Sequence, residues 1–151
     1  TEYLELPFVD FMTFNVYLER RARYEAYLAR LQNLAGDRPL VLAEIGLDSR
    51  RNGEQVQAES LDWQVRASFA GGAAGTFVFA WTDEWHRGGH DIEDWDFGLV
   101  RRDRSPKPAL AAAMRAYAAL DRRLDHACPL SERGAAKAIQ SRLVGADLDD
   151  D

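Results

Sequence analysis

Three short apolar runs alternate along the chain with longer stretches in which apolar residues recur every three or four positions. The runs are typical of buried strands, and the longer stretches are typical of helices with one apolar face. The predicted strands are Val9–Leu18, Leu40–Ile45 and Gly75–Thr82, and the predicted helices are Arg20–Ala35, Gln55–Ala70 and about Pro106–Leu124. Because helix-length connections join successive strands, the pattern favours an α/β fold with a parallel sheet.

Two polar segments interrupt this alternation. Asp48–Glu54 predicts a short loop, and Asp83–Gly98 predicts a long loop that is dense in tryptophan and acidic residues. Beyond the third helix the composition changes to mixed charges and an acidic end. The predicted organisation is therefore one folded domain over residues 1–124 and a poorly ordered tail over residues 125–151.

Polar and aromatic side chains follow each predicted strand at its carboxyl end. In strand order they are Asn15 and Tyr17, then Glu44, then Trp81, Asp83, Glu84 and Trp85. Because parallel strands bring their carboxyl ends to one edge of the sheet, these side chains are expected to meet there, as the sites of barrel enzymes do. No glycine-rich phosphate loop follows any of the three strands, which disfavours a nucleotide-binding fold.

Glu44 ends the apolar run LVLAEI, and a carboxylate there needs a partner because an unpaired buried charge is costly. One interpretation is structural, with Glu44 capping a helix or pairing with Arg50 or Arg51. The other is catalytic, with Glu44 as the nucleophile of a sugar-cleaving enzyme. In that case Tyr17, on the neighbouring strand, is expected to orient the carboxylate and keep it ionised.

The tryptophans after the third strand, Trp81, Trp85 and Trp95, stand among acidic residues. One interpretation is that they pack under the long loop. The other is that they form a sugar platform, because indole faces match the apolar faces of a pyranose while carboxylates accept its hydroxyl hydrogens. Two histidines follow, His86 and His90. Their non-helical spacer disfavours a shared metal site, and a histidine contact to a sugar hydroxyl is the preferred interpretation. No metal or cofactor is expected.

Charge and composition exclude other classes of function. With 25 acidic and 19 basic residues the net charge is −6, which disfavours binding to nucleic acid. The single cysteine, Cys128, excludes an intrachain disulfide. No apolar run approaches the roughly 20 residues of a membrane helix. The compartment stays open between the cytoplasm and a membrane-associated location as part of a larger bacterial protein.

The runs FNVYLE, LVLAEIGLD, FVFAWTDEW and DWDFGLVRRDRSPKPAL resemble the C-terminal part of retaining glycoside hydrolases of clan A, which are eight-stranded β/α barrels. The likeness spans roughly residues 4–120. It is strongest to catalytic domains of the β-glucuronidase and β-galactosidase type, and to the hydrolase-like domain fused to some bacterial family 2 glycosyltransferases.

The resemblance implies that the chain is about strands six to eight of such a barrel. It matches Glu44 to the nucleophile that ends the seventh strand and Tyr17 to the tyrosine that hydrogen-bonds it. It matches Trp81 to the tryptophan that floors the sugar site. The secondary substrate contacts are expected to be Asn15, Glu84, Trp85 and His86.

The chain departs from the family in its acid/base group. The family places a glutamate on the fourth strand, and nothing before Val9 can hold that strand, whereas a retaining enzyme needs two carboxyl groups roughly 5–5.5 Å apart. Asp83 and Glu84 are poor substitutes, because their expected exposure would leave the pKa unraised. The first five strands are therefore expected to be absent, and the isolated chain is expected to be inactive.

The expected partners are a carbohydrate substrate, the missing remainder of the barrel and, through exposed sheet edges, other copies of the chain. Nucleic acid is not expected among them. Two alternatives to the glycosidase interpretation stay open. In one, the chain is a non-catalytic sugar-binding or structural segment of a larger glycosyltransferase-fused protein. In the other, it is an unrelated open α/β domain in which Glu44 is structural.

Overall fold

The computed structural model of the protein describes residue 6 and residues 8–127. Their elements are β1 (Met12–Val16), α1 (Arg21–Ala35), β2 (Leu40–Ile45), α2 (Ser49–Asn52), α3 (Glu54–Ala70), β3 (Gly75–Val78), β4 (Trp85–Arg87), β5 (His90–Ile92) and α4 (Pro108–Ala127). The three predicted strands form a parallel sheet in the order β1–β2–β3, and β4 pairs with β5 in an antiparallel hairpin.

The chain divides into two compact units within α4, Thr1–Ala116 and Tyr117–Asp151. The sheet, the hairpin and the first half of α4 belong to the first unit. The tail predicted for residues 125–151, with Cys128, lies outside the described residues except for the last residues of α4.

One face of the sheet forms the core with α1 and α3, which lie next to each other and both contact β2. The buried side chains of the sheet are Met12, Val16, Leu40, Leu42 and Ile45, and those of the helices include Tyr24, Leu28, Leu31, Leu61 and Val65. The hydroxyl groups of Tyr24 and Ser68 lie 2.7 Å apart, so a buried hydrogen bond joins α1 to α3.

The opposite face of the sheet is exposed within the described part of the chain. Thr13 and Asn15 point outward from β1, and Phe77 on β3 is 64% exposed. Phe11, just before β1, is 51% exposed. The two phenylalanine rings make this surface unusually apolar for contact with water. Parallel sheets are ordinarily covered on both faces.

The pairing of β2 is irregular at Glu44. Phe14 and Asn15 are consecutive on β1, but their partners on β2 are Leu42 and Glu44, so β2 holds one extra residue there. The pairing of β2 with β3 shifts over the same stretch. An extra residue breaks the alternation of faces and re-aims the side chains beside it. Glu44 is consequently half-buried, while the next residue, Ile45, is fully buried.

The predicted loop over Asp48–Glu54 is wrong, because it contains the helical turn α2 and the start of α3. Asp48 begins this turn as its N-cap, and its Oδ1 accepts a hydrogen bond from the backbone N–H of Arg50 at 3.0 Å. A short polar side chain in this position satisfies a backbone donor that has no partner inside the helix.

The predicted long loop over Asp83–Gly98 is wrong in part, because it contains the β4–β5 hairpin. Gly88 and Gly89 form its two-residue turn with φ values of +60° and +83°. Positive φ at both central positions suits the twist of two antiparallel strands, and glycine adopts it without steric cost.

The third strand ends at Val78, four residues before the predicted end at Thr82. The N–H of Phe79 still donates to the carbonyl of Ile45 on β2, at 2.8 Å. From Ala80 onward the backbone hydrogen bonds go to residues 97–100 instead, and the Phe79–Ala80 peptide bond is cis. The residues after Phe79 therefore follow a different partner from the one that the strand pattern predicts.

Candidate active site

A cavity of about 580 Å³ opens where the first three strands end. Four of the residues singled out from the sequence line it, namely Tyr17, Glu44, Trp85 and Trp95. Tyr17 follows β1, Glu44 lies near the end of β2, and Trp85 begins β4, so the cavity draws on three separate parts of the chain. Of the polar and aromatic side chains expected at this edge of the sheet, Tyr17, Glu44 and Trp85 come together in the cavity.

Tyr17 donates a hydrogen bond from its hydroxyl group to Oε2 of Glu44. Burial, and after it the hydrogen bond to the Glu44 carboxylate, raise the pKa of Tyr17 far above its ordinary value. A raised pKa favours the protonated phenol, which is the form that can donate to the carboxylate. This contact orients one carboxylate oxygen and leaves the other for a second partner.

The arginines considered as structural partners of Glu44 are engaged elsewhere. Arg51 donates from Nε to Oδ2 of Asp48 at 3.1 Å. Arg50 donates to the backbone carbonyl of Glu93. The structural interpretation of Glu44 as half of an ion pair with either arginine is therefore wrong.

Four aromatic residues form one side of the cavity, Phe79, Trp85, Trp95 and Phe97, here called the aromatic wall. Phe79 and Phe97 meet the Tyr17 ring edge-on, with centroids 6.3 and 5.7 Å away. Trp85 packs on Phe79 at 5.0 Å and Trp95 on Phe97 at 6.1 Å, and the two indoles stack at 6.5 Å with an interplanar angle of 26°. The indoles are 36% and 40% exposed, so part of their surface is available to a ligand.

The loop that follows Glu44 is held tightly against the end of β3. A Cβ atom on Gly46 would lie 2.5 Å from the carbonyl oxygen of Phe79, a separation that only glycine permits. Gln57, fully buried on α3, donates from Nε2 to the carbonyls of Leu47 at 3.1 Å and Gly98 at 3.3 Å. These contacts fix the end of β2 relative to the aromatic wall.

Lys107 places a buried charge next to the segment that carries the aromatic wall. Its side chain is 1% exposed and its Nζ lies 2.7 Å from Oδ1 of Asp83. The same ammonium donates to Oγ of Ser49 at 2.8 Å and to the carbonyl of Asp96 at 3.2 Å. With three acceptors around it, the buried ammonium is fully hydrogen-bonded, as a buried charge requires.

These contacts hold the segment Asp96–Gly98 at both ends. The N–H of Gly98 donates to Oδ1 of Asp83 at 2.8 Å, and the N–H of Asp96 donates to Oδ1 of Asp48 at 3.1 Å. Burial, and after it the Asp83 carboxylate, raise the pKa of Asp96. Phe97 stands between the two anchored residues, so the polar network determines where its ring meets Tyr17.

The two acids that the sequence analysis considered as an acid/base group, Asp83 and Glu84, are both engaged with cations. Asp83 was expected to be exposed, and this is wrong: the residue is 6% exposed and paired with Lys107. Glu84 forms an ion pair with Arg104, and the hydrogen bond from that guanidinium lowers the pKa of Glu84. Neither residue lines the cavity of Glu44.

Four predicted contacts lie outside the cavity lining. They are Asn15, Trp81, Glu84 and His86. Trp81 is 59% exposed, because the backbone from Ala80 onward pairs with residues 97–100 and turns away from the strand direction. Asn15 pairs in register with Glu44, but its side chain is exposed. The structure thus brings Trp85 to Glu44 and leaves Trp81 apart from it.

His86 and His90 sit on the two strands of the hairpin and are both exposed. Nε2 of His86 lies 4.0 Å from Oδ1 of Asp91. In the part of the chain that the structure describes, no three His, Cys, Asp or Glu side chains are grouped as metal ligands. Within the same part, no helix has the length and apolar character needed to cross a bilayer.

Several lining residues were not identified from the sequence as parts of the site. They are Glu19, Asp48, Arg51, Phe79 and Phe97. The two phenylalanines stand beside singled-out tryptophans, so the aromatic density of residues 79–97 was the available signal. Lys107 carries no signal of its own, because a lysine between two prolines at a helix start is ordinarily solvated.

The described chain has a mixed helix and strand fold similar to that of solved glycoside hydrolases. The β-glucuronidase of Ruminococcus gnavus, in complex with uronic isofagomine, matches with a TM-score of 0.57 and 21% identity over 73% of this chain and 22% of its own. The GH2 β-galacturonidase of Eisenbergiella tayi, bound to galacturonate, matches with a TM-score of 0.58 and 22% identity, covering 73% and 24%. A GH5_18 protein of Streptomyces cattleya, in complex with GlcNAc, matches with a TM-score of 0.55 and 21% identity, covering 66% and 25%.

The chain therefore spans about a quarter or less of the length of each of these structures. Identities of 20–22% establish likeness of fold. No family model matches the chain, and no curated protein matches it significantly in sequence.

Proposed function

We propose that this chain supplies the nucleophile's half of the active site of a retaining O-glycoside hydrolase. The observation that carries the proposal is the hydrogen bond from Tyr17 to the carboxylate of Glu44, made inside a cavity with an aromatic wall. A nucleophilic carboxylate needs an orienting donor that stays protonated, and Tyr17 meets that need. The fold likeness to glycoside hydrolases is consistent with the assignment.

The chemistry follows from this arrangement. A Glu44 oxygen forms a bond to the anomeric carbon as the bond to the leaving oxygen breaks, and the leaving oxygen takes a proton from an acid. A water molecule then attacks the anomeric carbon, gives a proton to the same group acting as base, and releases Glu44. Two inversions give net retention. The aromatic wall would bind the apolar face of the pyranose, with Trp85 as the predicted contact that lines the cavity.

The acid/base group is proposed to come from outside these 151 residues. Asp83 and Glu84 are engaged with Lys107 and Arg104. Glu19 and Asp94 line the cavity but are exposed to solvent, whereas a general acid requires a desolvated carboxyl group. The chain would then work as the last three β/α units of a barrel, with further units covering the exposed face of the sheet.

A second candidate is a sugar-binding segment without hydrolysis. The engagement of Asp83 and Glu84 favours it, because binding needs no acid. In this case the aromatic wall and Glu44 would hold a sugar that another domain of a larger protein processes.

An activated fluorosugar separates the two candidates. A 2-deoxy-2-fluoroglycoside of 2,4-dinitrophenol loses its leaving group without protonation, so trapping requires the nucleophile and not the acid. We expect the intact mass of the chain to rise by one fluoroglycosyl unit, and Glu44→Gln to abolish the increase. Glu59→Gln is the matched control, since Glu59 is exposed on α3 and its carboxylate accepts from Gln55. Sugar binding by NMR without any mass increase would support the second candidate instead.

A further inference from the structure

The charged groups that line the cavity are mostly negative. Four carboxylates line it, from Glu19, Glu44, Asp48 and Asp94, and the cation in the described lining is Arg51. The chain as a whole carries a net charge of −6, so the long-range field has the same sign as the local one.

Arg51 compensates one of these carboxylates. Its Nε lies 3.1 Å from Oδ2 of Asp48, which is 3% exposed. The other oxygen of Asp48 accepts the backbone N–H groups of Arg50 and Asp96 at 3.0 and 3.1 Å. Asp48 and Arg51 thus neutralise each other, and Asp48 has no oxygen left for a ligand.

The remaining three carboxylates have no cationic partner in the described part of the chain. In the described part of the chain, no Lys, Arg or His side chain lies within 4.0 Å of Glu19, Glu44 or Asp94. The partner of Glu44 is the neutral phenol of Tyr17. The cavity therefore presents three carboxylates that no cation of the described residues compensates.

Three arginines that follow residues of the aromatic wall in the chain, Arg87, Arg102 and Arg104, do not line the cavity, and the last two are each paired with an acid. Arg102 holds Asp91 with two hydrogen bonds of 2.6 and 2.8 Å. Arg104 pairs with Glu84. A ligand that enters the cavity therefore meets the field of the three carboxylates in a partly apolar cleft, where charge interactions are stronger than in bulk water.

We propose that this cavity selects a glycosyl unit with a free ammonium group, an amino sugar, over a neutral sugar, and that it disfavours a uronate. The inference rests on the proposed function, because it assumes that the cavity binds a sugar. It separates this chain from two of its structural neighbours, whose names describe a β-glucuronidase and a β-galacturonidase. The aromatic wall supplies the contact common to all pyranoses, and the three carboxylates supply the discrimination.

Three matched ligands test the proposal on the whole chain. They are methyl β-glucosaminide, methyl β-glucoside and methyl β-glucuronide, which share a ring and differ in charge. Affinities come from NMR titration at 0.01 M and 0.15 M ionic strength. We expect the glucosaminide to bind at least about tenfold more tightly than the glucuronide at low salt, with the glucoside between them. The ratio should shrink at higher salt, as the Debye length falls from about 30 Å to about 8 Å.

Asp94→Asn removes one carboxylate from the cavity lining, so it should reduce the ratio of glucosaminide to glucuronide affinity. Asp94 lies on an exposed loop. Glu59→Gln removes the same unit of charge from the outside of α3 and should leave the ratio unchanged. Equal binding of the three ligands, or a preference for the glucuronide, overturns the selectivity while the proposed sugar site stands. Failure of all three to bind overturns the proposed function together with this inference.

Discussion

The hydroxyl group of Tyr17 donates to the carboxylate of Glu44 between the ends of two neighbouring parallel strands. The contact depends on the extra residue in β2, which re-aims Glu44 away from the strict alternation of the strand. It also depends on Phe79 and Phe97, whose rings meet Tyr17 edge-on. Backbone irregularity and aromatic packing thus act together to give one carboxylate a fixed orientation.

Removing the donor tests the role of Tyr17. Tyr17→Phe keeps the ring and its edge contacts but loses the hydrogen bond to Glu44. A hydrogen bond to a charged group contributes roughly 1.5–3 kcal/mol, so trapping by the activated fluorosugar should slow roughly tenfold to a hundredfold. Tyr27→Phe, on the exposed side of α1, should trap at the wild-type rate. Equal rates for the two variants would show that the hydroxyl group does not assist Glu44.

Lys107→Met tests the buried network. The substitution leaves Asp83 buried without its ammonium, and breaking a buried pair in this way costs about 3–5 kcal/mol. Urea unfolding should show this loss, and near-UV circular dichroism should report a changed aromatic wall. The control is Arg66→Met, because the exposed pair of Arg66 with Asp62 should contribute less than about 1 kcal/mol. Similar losses of unfolding free energy in both variants would contradict the account.

Acid should loosen the β4–β5 hairpin. The hydrogen bonds from Arg104 and Arg102 lower the pKa values of Glu84 and Asp91 below their ordinary values. A carboxylate whose folded-state pKa is lowered stabilises the fold above its unfolded-state pKa, near 4, and loses that contribution as the pH falls below it.

The expected observation is weaker amide protection in the hairpin below about pH 4, with the sheet less affected. Both pairs are exposed, so 0.5 M salt should weaken the protection at neutral pH as well. Hairpin protection that stays constant from pH 6 to pH 3 would show that these pairs do not hold it.

The exposed sheet face should promote self-association. Phe77 presents an apolar ring to water from β3, an edge strand of the sheet among the described residues. Sedimentation velocity should show association that increases with concentration, and Phe77→Lys should reduce it. Met114→Lys changes an equally exposed apolar residue on α4 and should have little effect. A monomer at every concentration, with a sharp unfolding transition, would argue against a face that needs covering.

Regular elements were the most predictable part of the fold. The strand Leu40–Ile45 has its predicted bounds, and α1 begins one residue after its predicted start. The strand is a continuous apolar run with Leu40, Leu42 and Ile45 fully buried, and α1 has an apolar stripe of which Tyr24, Leu28 and Leu31 are buried. The meeting of Tyr17 with Glu44 followed from the parallel arrangement, because their positions on adjacent strands are close to the register.

Long-range pairing explains what was not predictable. Trp81 seemed to end a strand, but its backbone pairs with Val100, a partner that no local pattern indicates. Lys107 is buried because Asp83 and Ser49 come to it from 24 and 58 residues away in the chain. The hairpin, by contrast, could have been predicted from the sequence, because Gly88-Gly89 between two short runs is a turn signal, although the segment was predicted as a loop.

We propose that Glu44, and not another carboxylate of the cavity, attacks the anomeric carbon. The most direct test of this proposal is to trap the chain with the activated fluorosugar, digest it, and locate the added mass by tandem mass spectrometry. We expect a single modified site at Glu44, absent from Glu44→Gln and present in Glu59→Gln. An adduct at Glu19 or Asp94, or one that persists in Glu44→Gln, would contradict it.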